Sequence, residues 1–276
     1  MEHSKEGRRP DWADDASAQG PETDFSKSRE LTGELLVLPH AGSTNDEAAA
    51  RVSSGGLRPP FSTVLTLDQR AGHGRLGRSW SCPPGGALAA SVVVRLKDPA
   101  GAALLPLVAG TAMAAALREL GVPAAVKWPN DVLVGGAKIC GILCLLAAPG
   151  TVIVGSGINL RLTPEETAHL GLHGSRATAV NLEGCTASPD TVLSGYLAQL
   201  RHGVERLERD PADAVAAART CCETLGTRVR IELPDGGSVI GRAIDLRDDG
   251  AILVRIDGEI RPFVAGDVTH LRPAVG

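Results

Sequence analysis

A glycine- and arginine-rich stretch at residues 68–80 carries the clearest chemistry in this sequence. It reads DQRAGHGRLGRSW and sets three glycines beside Arg75 and Arg78. Glycines let a backbone lie close to a ligand. Guanidinium groups form paired hydrogen bonds to carboxylates and phosphates. The stretch therefore predicts a loop that closes over a small anion.

Two further motifs extend this prediction. Residues 127–131 read KWPND, and residues 155–159 read GSGIN. The chain has 28 basic residues but only five lysines, and two of these, Lys127 and Lys138, lie beside the glycine-rich motifs. Chance placement is one explanation; the other is a need for a compact ammonium that guanidinium does not replace. Taken together, these features predict an enzyme that activates an acid with a nucleotide.

Two other interpretations of the loop compete with this one. Gly72, Gly74 and Gly77 satisfy the G-x-G-x-x-G spacing of dinucleotide-binding folds, after an apparent strand at 61–67. Such a fold needs a helix to begin at the third glycine, whereas residues 79–86, SWSCPPGG, contain prolines and glycines that break one. The other interpretation is a basic loop that grips nucleic-acid phosphates. The net charge of −4 and the pI of about 6.0 count against it.

Composition narrows the class of protein. The hydrophobic fraction of 43% is typical of a globular chain. No apolar run approaches the roughly 20 residues of a membrane span, and the first residues are too polar for a signal peptide. The six cysteines are scattered without a C-x-x-C pair. They favour buried or idle thiols in a reducing cytoplasm over metal ligation or a disulfide framework.

The pattern of polar and apolar residues divides the chain into three parts. Residues 1–33 are polar without apolar periodicity and are predicted to be a disordered tail. Residues 34–225 are predicted to form the catalytic domain, an α+β fold whose mixed, mainly antiparallel sheet is covered by helices. Residues 226–276 contain five short alternating segments joined by tight turns, which predict a small SH3-like β-barrel.

Cap and turn signals place the elements of the central part. Thr44 and Glu47 are spaced as a capping box, which predicts that a helix begins there. Gly121 stops a long alanine-rich helix, and Gly135 with Gly136 predicts a hairpin turn. We predict strands at 35–38, 61–67, 88–96, 124–128, 131–134, 138–146 and 151–154, and helices at 44–52, 102–120, 189–208 and 211–224.

In their order along the chain, the motifs resemble those of biotin protein ligases. The shared residues are 43–45 (STN), 72–78 (GHGRLGR), 127–131 (KWPND), 137–143 (AKICGIL) and 155–159 (GSGIN). Several motifs in order are far more specific than any single one. The resemblance covers roughly residues 35–272. It implies a biotin- and ATP-binding catalytic domain like that of class II synthetases, followed by the small barrel.

The resemblance also implies a two-step reaction. Biotin and Mg-ATP would give biotinyl-5′-adenylate and pyrophosphate. A lysine on a biotin carboxyl carrier domain of an acetyl-CoA- or propionyl-CoA-type carboxylase would then attack the adenylate. Such a site needs cations that neutralise the carboxylate and the α-phosphate, and a loop that keeps water out. No acid or base side chain is strictly required, because positioning and charge stabilisation carry the reaction.

By position, the resemblance implies roles for individual residues. The biotin pocket would be lined by Ser43, Thr44, Gln69, Gly72, His73, Arg75, Lys138, Gly141 and Gly157. The nucleotide and adenylate would contact Arg78, Trp80, Lys127, Asn130, Asp131 and Asn159. The expected catalytic residues are Lys138, Arg75 and Arg78, and Lys138 would stabilise the developing charge in both steps. Asp131 would lie by the phosphate and Mg²⁺.

One residue departs from the family pattern, which has arginine where this chain has His73. Histidine is shorter than arginine and largely neutral at pH 7. We therefore expect weaker or more pH-dependent retention of biotin and its adenylate than an arginine would give.

Partners and close alternatives follow from the same resemblance. Some family members carry an N-terminal winged helix, for which residues 1–33 are too short and too polar. We therefore expect a ligase-only, cytoplasmic protein without nucleic-acid or membrane partners, acting as a monomer or homodimer. A lipoate ligase is the nearest alternative enzyme, and the 127–131 motif with the small barrel favours biotin. A nucleic-acid binder is the alternative outside enzymes.

Overall fold

The computed structural model describes residues 24–170, 176–233, 237–264 and 267–270. The helices in these ranges are α1 (Ser26–Glu30), α2 (Thr44–Ser53), α3 (Leu105–Glu119), α4 (Pro164–Leu170), α5 (Pro189–Arg209) and α6 (Pro211–Arg219). The first ten strands are β1 (Leu35–Leu38), β2 (Thr63–Thr66), β3 (Gly72–His73), β4 (Ser79–Trp80), β5 (Ala87–Arg95), β6 (Ala125–Lys127), β7 (Asp131–Val134), β8 (Ala137–Ala148), β9 (Thr151–Asn159) and β10 (Arg176–Ala177). The last five are β11 (Arg228–Glu232), β12 (Ser238–Leu246), β13 (Ile252–Ile256), β14 (Glu259–Phe263) and β15 (Asp267–His270).

A mixed sheet forms the centre of the molecule, in the order β1-β2-β5-β9-β8-β7-β6, with β10 pairing to β8. β1 pairs with β2, and β10 with β8, in parallel, while the other neighbours are antiparallel. This confirms the predicted α+β class with a mixed, mainly antiparallel sheet. β9 extends to Asn159, so residues 155–159 lie within a strand.

Helices cover both faces of this sheet, which explains why β5 reads as a nearly continuous apolar run. On one face α3 packs against α5 and β8 within the main hydrophobic core. On the other face α2 packs against β2, β5 and β9, where Ala48 joins Val64, Val93 and Ile153 in a smaller core. The candidate site described below lies on this second face, beside the N-terminus of α2.

The predicted helix at 102–120 is a 3₁₀ segment, Pro99–Leu104, followed by α3. By length and composition, Pro99–Glu119 is apolar enough to cross a membrane, with a mean hydropathy of 1.8. The prediction that no apolar run approaches that length is therefore wrong. The segment packs in the protein interior, because 61% of its most apolar window is buried.

The prediction of a disordered tail up to residue 33 is wrong from Phe25 onward; residues 1–23 lie outside the described ranges. Phe25 is buried, and α1 packs against α5. Asp190, at the start of α5, accepts hydrogen bonds from the backbone amides of Lys27 and Ser28 and from the Ser28 hydroxyl. These contacts join residues far apart in the sequence, so no local pattern predicts them.

The N-terminus of α2 also differs from its prediction. Ser43, not Thr44, is the capping residue, since its hydroxyl accepts a hydrogen bond from the backbone amide of Asp46. The side chain of Thr44 is therefore available for other contacts. This difference matters because Thr44 faces the candidate site.

The C-terminal strands form an antiparallel sheet in the order β14-β13-β12-β11-β15. All five predicted segments are present as strands. The predicted helix at 211–224 instead ends at Arg219, because the chain then pairs with β6. Val126 donates its backbone amide to Cys221 and accepts one from Glu223. This pairing joins the edge of the central sheet to the C-terminal sheet.

Candidate functional site

The glycine- and arginine-rich loop is a small hairpin. β3 pairs with β4 through Gly72–Trp80 and His73–Ser79, and a 3₁₀ turn, Arg75–Gly77, joins the two strands. The backbone amide of Gly74 donates to the carbonyl of Arg78 at 2.6 Å. Gly77 has a φ of +72°, which favours glycine. His73 Nε2 lies 3.1 Å from Asp46 Oδ2, so the hairpin contacts the first turn of α2.

A row of polar side chains lies where α2 begins. Gln69 Oε1 accepts hydrogen bonds from the backbone amide of Thr44 at 2.8 Å and from its hydroxyl at 3.2 Å. Ser91 Oγ lies 2.8 Å from Thr44 Oγ1 and 2.7 Å from Asn45 Oδ1. Asn45 Nδ2 donates to the carbonyl of Leu143. These contacts hold neutral donors and acceptors in place at one end of the site.

Sequence analysis missed Asn45 and Ser91 as site residues. Asn45 belongs to the Ser-Thr-Asn motif, of which only the first two members were assigned to the biotin pocket. Ser91 is fully buried within the apolar strand β5. A polar residue in such a strand needs a hydrogen-bond partner, and this was the signal that could have identified it.

Three glycines allow the close packing of this region. A Cβ atom on Gly72 would collide with Gln69 and with the backbone of Trp80. On Gly155 it would collide with the side chain of Asn45. On Gly157 it would lie 2.8 Å from the indole ring of Trp80. The ring of Trp80 therefore lies directly on β9, where only glycine leaves room for it.

The charged cluster, consisting of Lys127, Asp131, Lys138 and Arg75, occupies the other end of the site. Lys138 Nζ lies 2.6 Å from Asp131 Oδ1, and Lys127 Nζ lies 3.9 Å from Asp131 Oδ2. The aliphatic end of Lys138 passes over Gly141, where a Cβ would lie 3.1 Å away. The β6–β7 hairpin sets this geometry, since Lys127 and Asp131 pair directly across it.

Asn130 connects the arginine of the loop to the central sheet. Arg75 Nη1 donates to Asn130 Oδ1 at 3.1 Å, and Asn130 Nδ2 donates to the carbonyl of Ile142 at 2.7 Å. The backbone amide of Ile142 in turn donates to the carbonyl of Asn130. Through Asn130, Arg75 is thus connected to β8, the strand that carries Lys138. Two cations held in this way are suited to bind one or two anionic groups between them.

These residues enclose a small cavity of about 80 Å³. Eight of the nine residues predicted to bind biotin line it: Ser43, Thr44, Gln69, His73, Arg75, Lys138, Gly141 and Gly157. The ninth, Gly72, packs behind Gln69 and Trp80. Of the predicted nucleotide-binding residues, Trp80 and Asn130 line the same cavity.

The other predicted nucleotide-binding residues lie outside the lining of this cavity. Arg78 is exposed at the end of the hairpin turn. Lys127 and Asp131 reach the site only through Lys138. Asn159 is buried, and its side-chain amide donates to the carbonyl of Thr178 at 2.8 Å. Contact of these residues with a nucleotide stays a prediction.

A large cavity of about 400 Å³ adjoins the small one. The two share Arg75, Asn130, Ile142 and Leu143 in their walls. The rest of the large cavity lies between α3, the 127–131 motif and the C-terminal sheet, and its lining includes the apolar side chains of Leu104, Leu107 and Val264 and the carboxylate of Asp249. Anything bound there would lie directly beside the pair formed by Arg75 and Asn130.

The cysteines near the site are not nucleophiles. Burial raises the pKa of the Cys140 thiol to about 12, and that of Cys144 to about 12 as well. Both thiols are therefore protonated at neutral pH, and the thiolate is the reactive form. All six cysteines of the chain are free.

The residues around Asp131 do not fit a Mg²⁺ ion held by the protein. Both carboxylate oxygens of Asp131 face lysine ammonium groups. Within the described ranges, no group of three or more His, Cys, Asp or Glu side chains is arranged to hold a metal. Mg²⁺ prefers carboxylate and water oxygens and often arrives with substrate phosphates. The prediction that Asp131 contacts the metal therefore finds no support in its surroundings.

Comparison with known proteins places the chain in a family. The model of the biotin/lipoate A/B protein ligase family matches residues 43–161, and that of the biotin protein ligase C-terminal domain matches residues 224–271. The chain is 37% identical over 247 residues to the biotin–[acetyl-CoA-carboxylase] ligase of Mycobacterium tuberculosis, an alignment that covers 87% of this chain and 90% of that protein. It is 30% identical to the bifunctional ligase/repressor BirA of Escherichia coli, covering 86% of this chain and 74% of BirA.

Solved structures agree with the sequence matches. The biotin protein ligase from Aquifex aeolicus, in complex with biotin and ATP, superposes with a TM-score of 0.71 at 25% identity, over 87% of this chain and 100% of that one. The Leishmania major biotin protein ligase in complex with biotinyl-5-AMP has a TM-score of 0.56, also at 25% identity, over 87% and 99% of the two chains. Fold, motifs and identity agree, and the chain belongs to the biotin protein ligase family.

Proposed function

We propose that the small cavity binds biotin and that the charged cluster promotes its activation by ATP. One observation carries this proposal: the cations of Lys138 and Arg75 line the same cavity as the neutral polar side chains of Ser43, Thr44 and Gln69. The neutral end, with Ser43, Thr44 and Gln69, suits a polar, uncharged ring system. The cationic end suits a carboxylate. Biotin carries both features in one molecule.

In the first step, a biotin carboxylate oxygen attacks the α-phosphorus of ATP, and the bond to the β-phosphate breaks to release pyrophosphate. Lys138 and Arg75 would neutralise the carboxylate and the charge that develops on the α-phosphate. An ammonium has three donors. Lys138 is therefore able to keep its contact with Asp131 while it binds a substrate oxygen. Mg²⁺ would enter bound to the triphosphate, and we assign no protein ligand to it.

In the second step, the neutral amine of a carrier lysine attacks the acyl carbon of the adenylate. AMP leaves with the former carboxylate oxygen, and the nitrogen loses a proton. We propose that the large cavity admits this lysine, because it shares Arg75 and Asn130 with the small one. Its lining combines the apolar side chains of Leu104 and Leu107 with the carboxylate of Asp249, which would attract the protonated lysine. The amine would have to lose that proton before it attacks.

We propose that the protein substrate is a biotin carboxyl carrier domain of an acetyl-CoA- or propionyl-CoA-type carboxylase. The relative from Mycobacterium tuberculosis, named for acetyl-CoA carboxylase, supports this choice. The free cysteines suit a reducing cytoplasm. We expect the enzyme to act as a monomer or homodimer, without a nucleic-acid or membrane partner.

The direct test is to incubate the purified protein with biotin, Mg-ATP and a carrier domain, and to measure the mass of the carrier. An increase by one biotin, detected also by streptavidin blot, would support the proposal. A parallel reaction with lipoate addresses the nearest alternative, since the matched family includes lipoate ligases. Transfer of lipoate in preference to biotin would contradict the proposed substrate.

A further inference from the structure

The 127–131 motif is attached to the C-terminal part of the chain through Trp128, which is 2% exposed. Its backbone amide donates to Thr224 Oγ1 at 3.0 Å. Its indole Nε1 donates to the carbonyl of Gly250, in the turn between β12 and β13, at 2.9 Å. The backbone amide and the indole of Trp128 are therefore both bound by residues outside the central sheet.

The hydroxyl of Thr224 is itself oriented by a second contact. Thr224 is fully buried, and its Oγ1 lies 3.0 Å from His270 Nε2 on β15. Oγ1 thus accepts the amide of Trp128 and shares a second hydrogen bond with His270 Nε2. Burial and the charge of Lys127 lower the pKa of His270 to about 4. The imidazole is therefore neutral at pH 7, and its tautomer decides which of the two atoms donates in this bond.

From Trp128 the connection continues into the charged cluster. Two residues further on, Asn130 binds Arg75 and β8, and Asp131 follows it and binds Lys138. A displacement of Trp128 would therefore move the partners of both cations. Small displacements of groups that position a reaction can cost up to about 100-fold in rate.

We propose that Thr224 is a positioning residue for biotin activation: its hydroxyl, bound to His270, fixes the backbone of Trp128 and thereby the geometry of Asn130 and Asp131. Two contacts from the C-terminal sheet, His270 and the carbonyl of Gly250, then act on the site through Thr224 and Trp128. This inference rests on the proposed function, since its rate readout is the release of pyrophosphate with biotin and ATP.

The test compares Thr224→Val, which keeps the shape but removes the hydroxyl, with Thr224→Ser, which keeps the hydroxyl. For Thr224→Val we expect kcat for pyrophosphate release to fall about tenfold or more, with a smaller change in KM for biotin. Amide hydrogen exchange at Trp128 should become faster in the same variant. Thr224→Ser should restore both kcat and slow exchange.

Val254→Ala is the control for a general loss of stability, since Val254 is fully buried in β13 and makes none of these contacts. It should lower Tm but leave kcat unchanged below the transition. The proposal would be overturned if Thr224→Val had the kcat of the wild type. It would also be overturned if Thr224→Ser and Val254→Ala lost as much kcat as Thr224→Val. If the wild type releases no pyrophosphate with biotin, the proposed function fails instead, and Trp128 exchange still reports on the Thr224 contact.

Discussion

The ammonium of Lys138 lies 2.6 Å from Oδ1 of Asp131, and each residue belongs to a different strand of the β7–β8 hairpin. The contact spans a bulge, since the pairing register shifts between Val132 and Leu133. Through it, the acidic end of the 127–131 motif holds the lysine that we expect to stabilise the developing charge. The carboxylate is thus a positioning group in this site, and both of its oxygens are engaged by lysines.

Replacing Arg75 by glycine should release the adenylate before transfer. The guanidinium binds Asn130 at the boundary of the two cavities, and its loss removes both a cation and a closing contact. We expect Arg75→Gly to biotinylate bystander lysines on an added protein such as serum albumin, measured by streptavidin blot. Arg75→Lys, which keeps a positive charge, should biotinylate fewer bystander lysines than Arg75→Gly. Unchanged selectivity for the carrier domain in Arg75→Gly would refute this prediction.

His73, where the family pattern has arginine, should weaken biotin binding. It lines the small cavity, and its Nε2 lies 3.1 Å from Asp46 Oδ2 at the start of α2. An arginine there would add a longer side chain with a fixed charge and several donors. We therefore expect His73→Arg to lower KM for biotin in steady-state assays. An unchanged KM in His73→Arg would show that the difference from the family pattern is neutral.

Adding one methyl group at Gly157 should weaken biotin binding. A Cβ there would lie 2.8 Å from the ring of Trp80, so the ring must move off β9. We expect Gly157→Ala to raise KM for biotin about tenfold, equivalent to about 1.4 kcal/mol. Gly42→Ala is the matched control, since a Cβ at Gly42 meets nothing within 4 Å. Equal KM values in the two variants would contradict the assigned position of Trp80.

Stability should fall on the acid side of neutrality, and His270 should account for part of this loss. The pKa of His270 is lowered by burial and by Lys127 to about 4, from an ordinary value of 6.5. Between these values the unfolded chain binds a proton that the folded chain does not. The free energy of unfolding therefore decreases as pH falls from 6.5 to 4. Urea denaturation of His270→Gln should show a flatter dependence over this range.

The contribution of Glu223 to stability must be measured in the same experiment, because its Oε1 lies 3.8 Å from His270 Nδ1. Burial raises the pKa of Glu223, so its protonation acts in the opposite direction and favours the folded state as pH falls. Glu223→Gln should therefore steepen the acid loss. Parallel profiles for wild type and His270→Gln between pH 4 and 6.5 would rule out the assigned contribution of His270.

Much of the site could be predicted because its residues lie in short motifs. The hairpin loop needs a residue with a positive φ at position 77 and a cation at position 75. Both requirements are local, so glycine and arginine at these positions can be recognised in the sequence. Strand periodicity likewise predicted most of the central sheet and all five C-terminal strands. The resemblance supplied the roles, and eight of the nine expected biotin contacts line one cavity.

The parts that were missed depend on contacts between distant residues. Thr224 binds Trp128 across 96 positions, and Ser28 binds Asp190 across 162. Neither pair has a local pattern. The helix predicted at 211–224 was too long because residues 221–223 pair with β6, a tertiary interaction that overrides helix propensity. The hydrogen bond from the Asn159 amide to the carbonyl of Thr178 is likewise not visible in any local pattern, and the contact of Asn159 with a nucleotide stays a prediction.

The most direct test of the account is biotin-dependent pyrophosphate release, followed by carrier biotinylation, in wild type and Lys138→Ala. The exposed Lys97→Ala is the control, since the Lys97 ammonium pairs with Glu208 and lines neither cavity. We expect Lys138→Ala to lose about 100-fold or more in both measurements, and Lys97→Ala to match the wild type. Wild-type rates of both steps in a folded Lys138→Ala protein would contradict the central claim that this lysine stabilises the reacting charges.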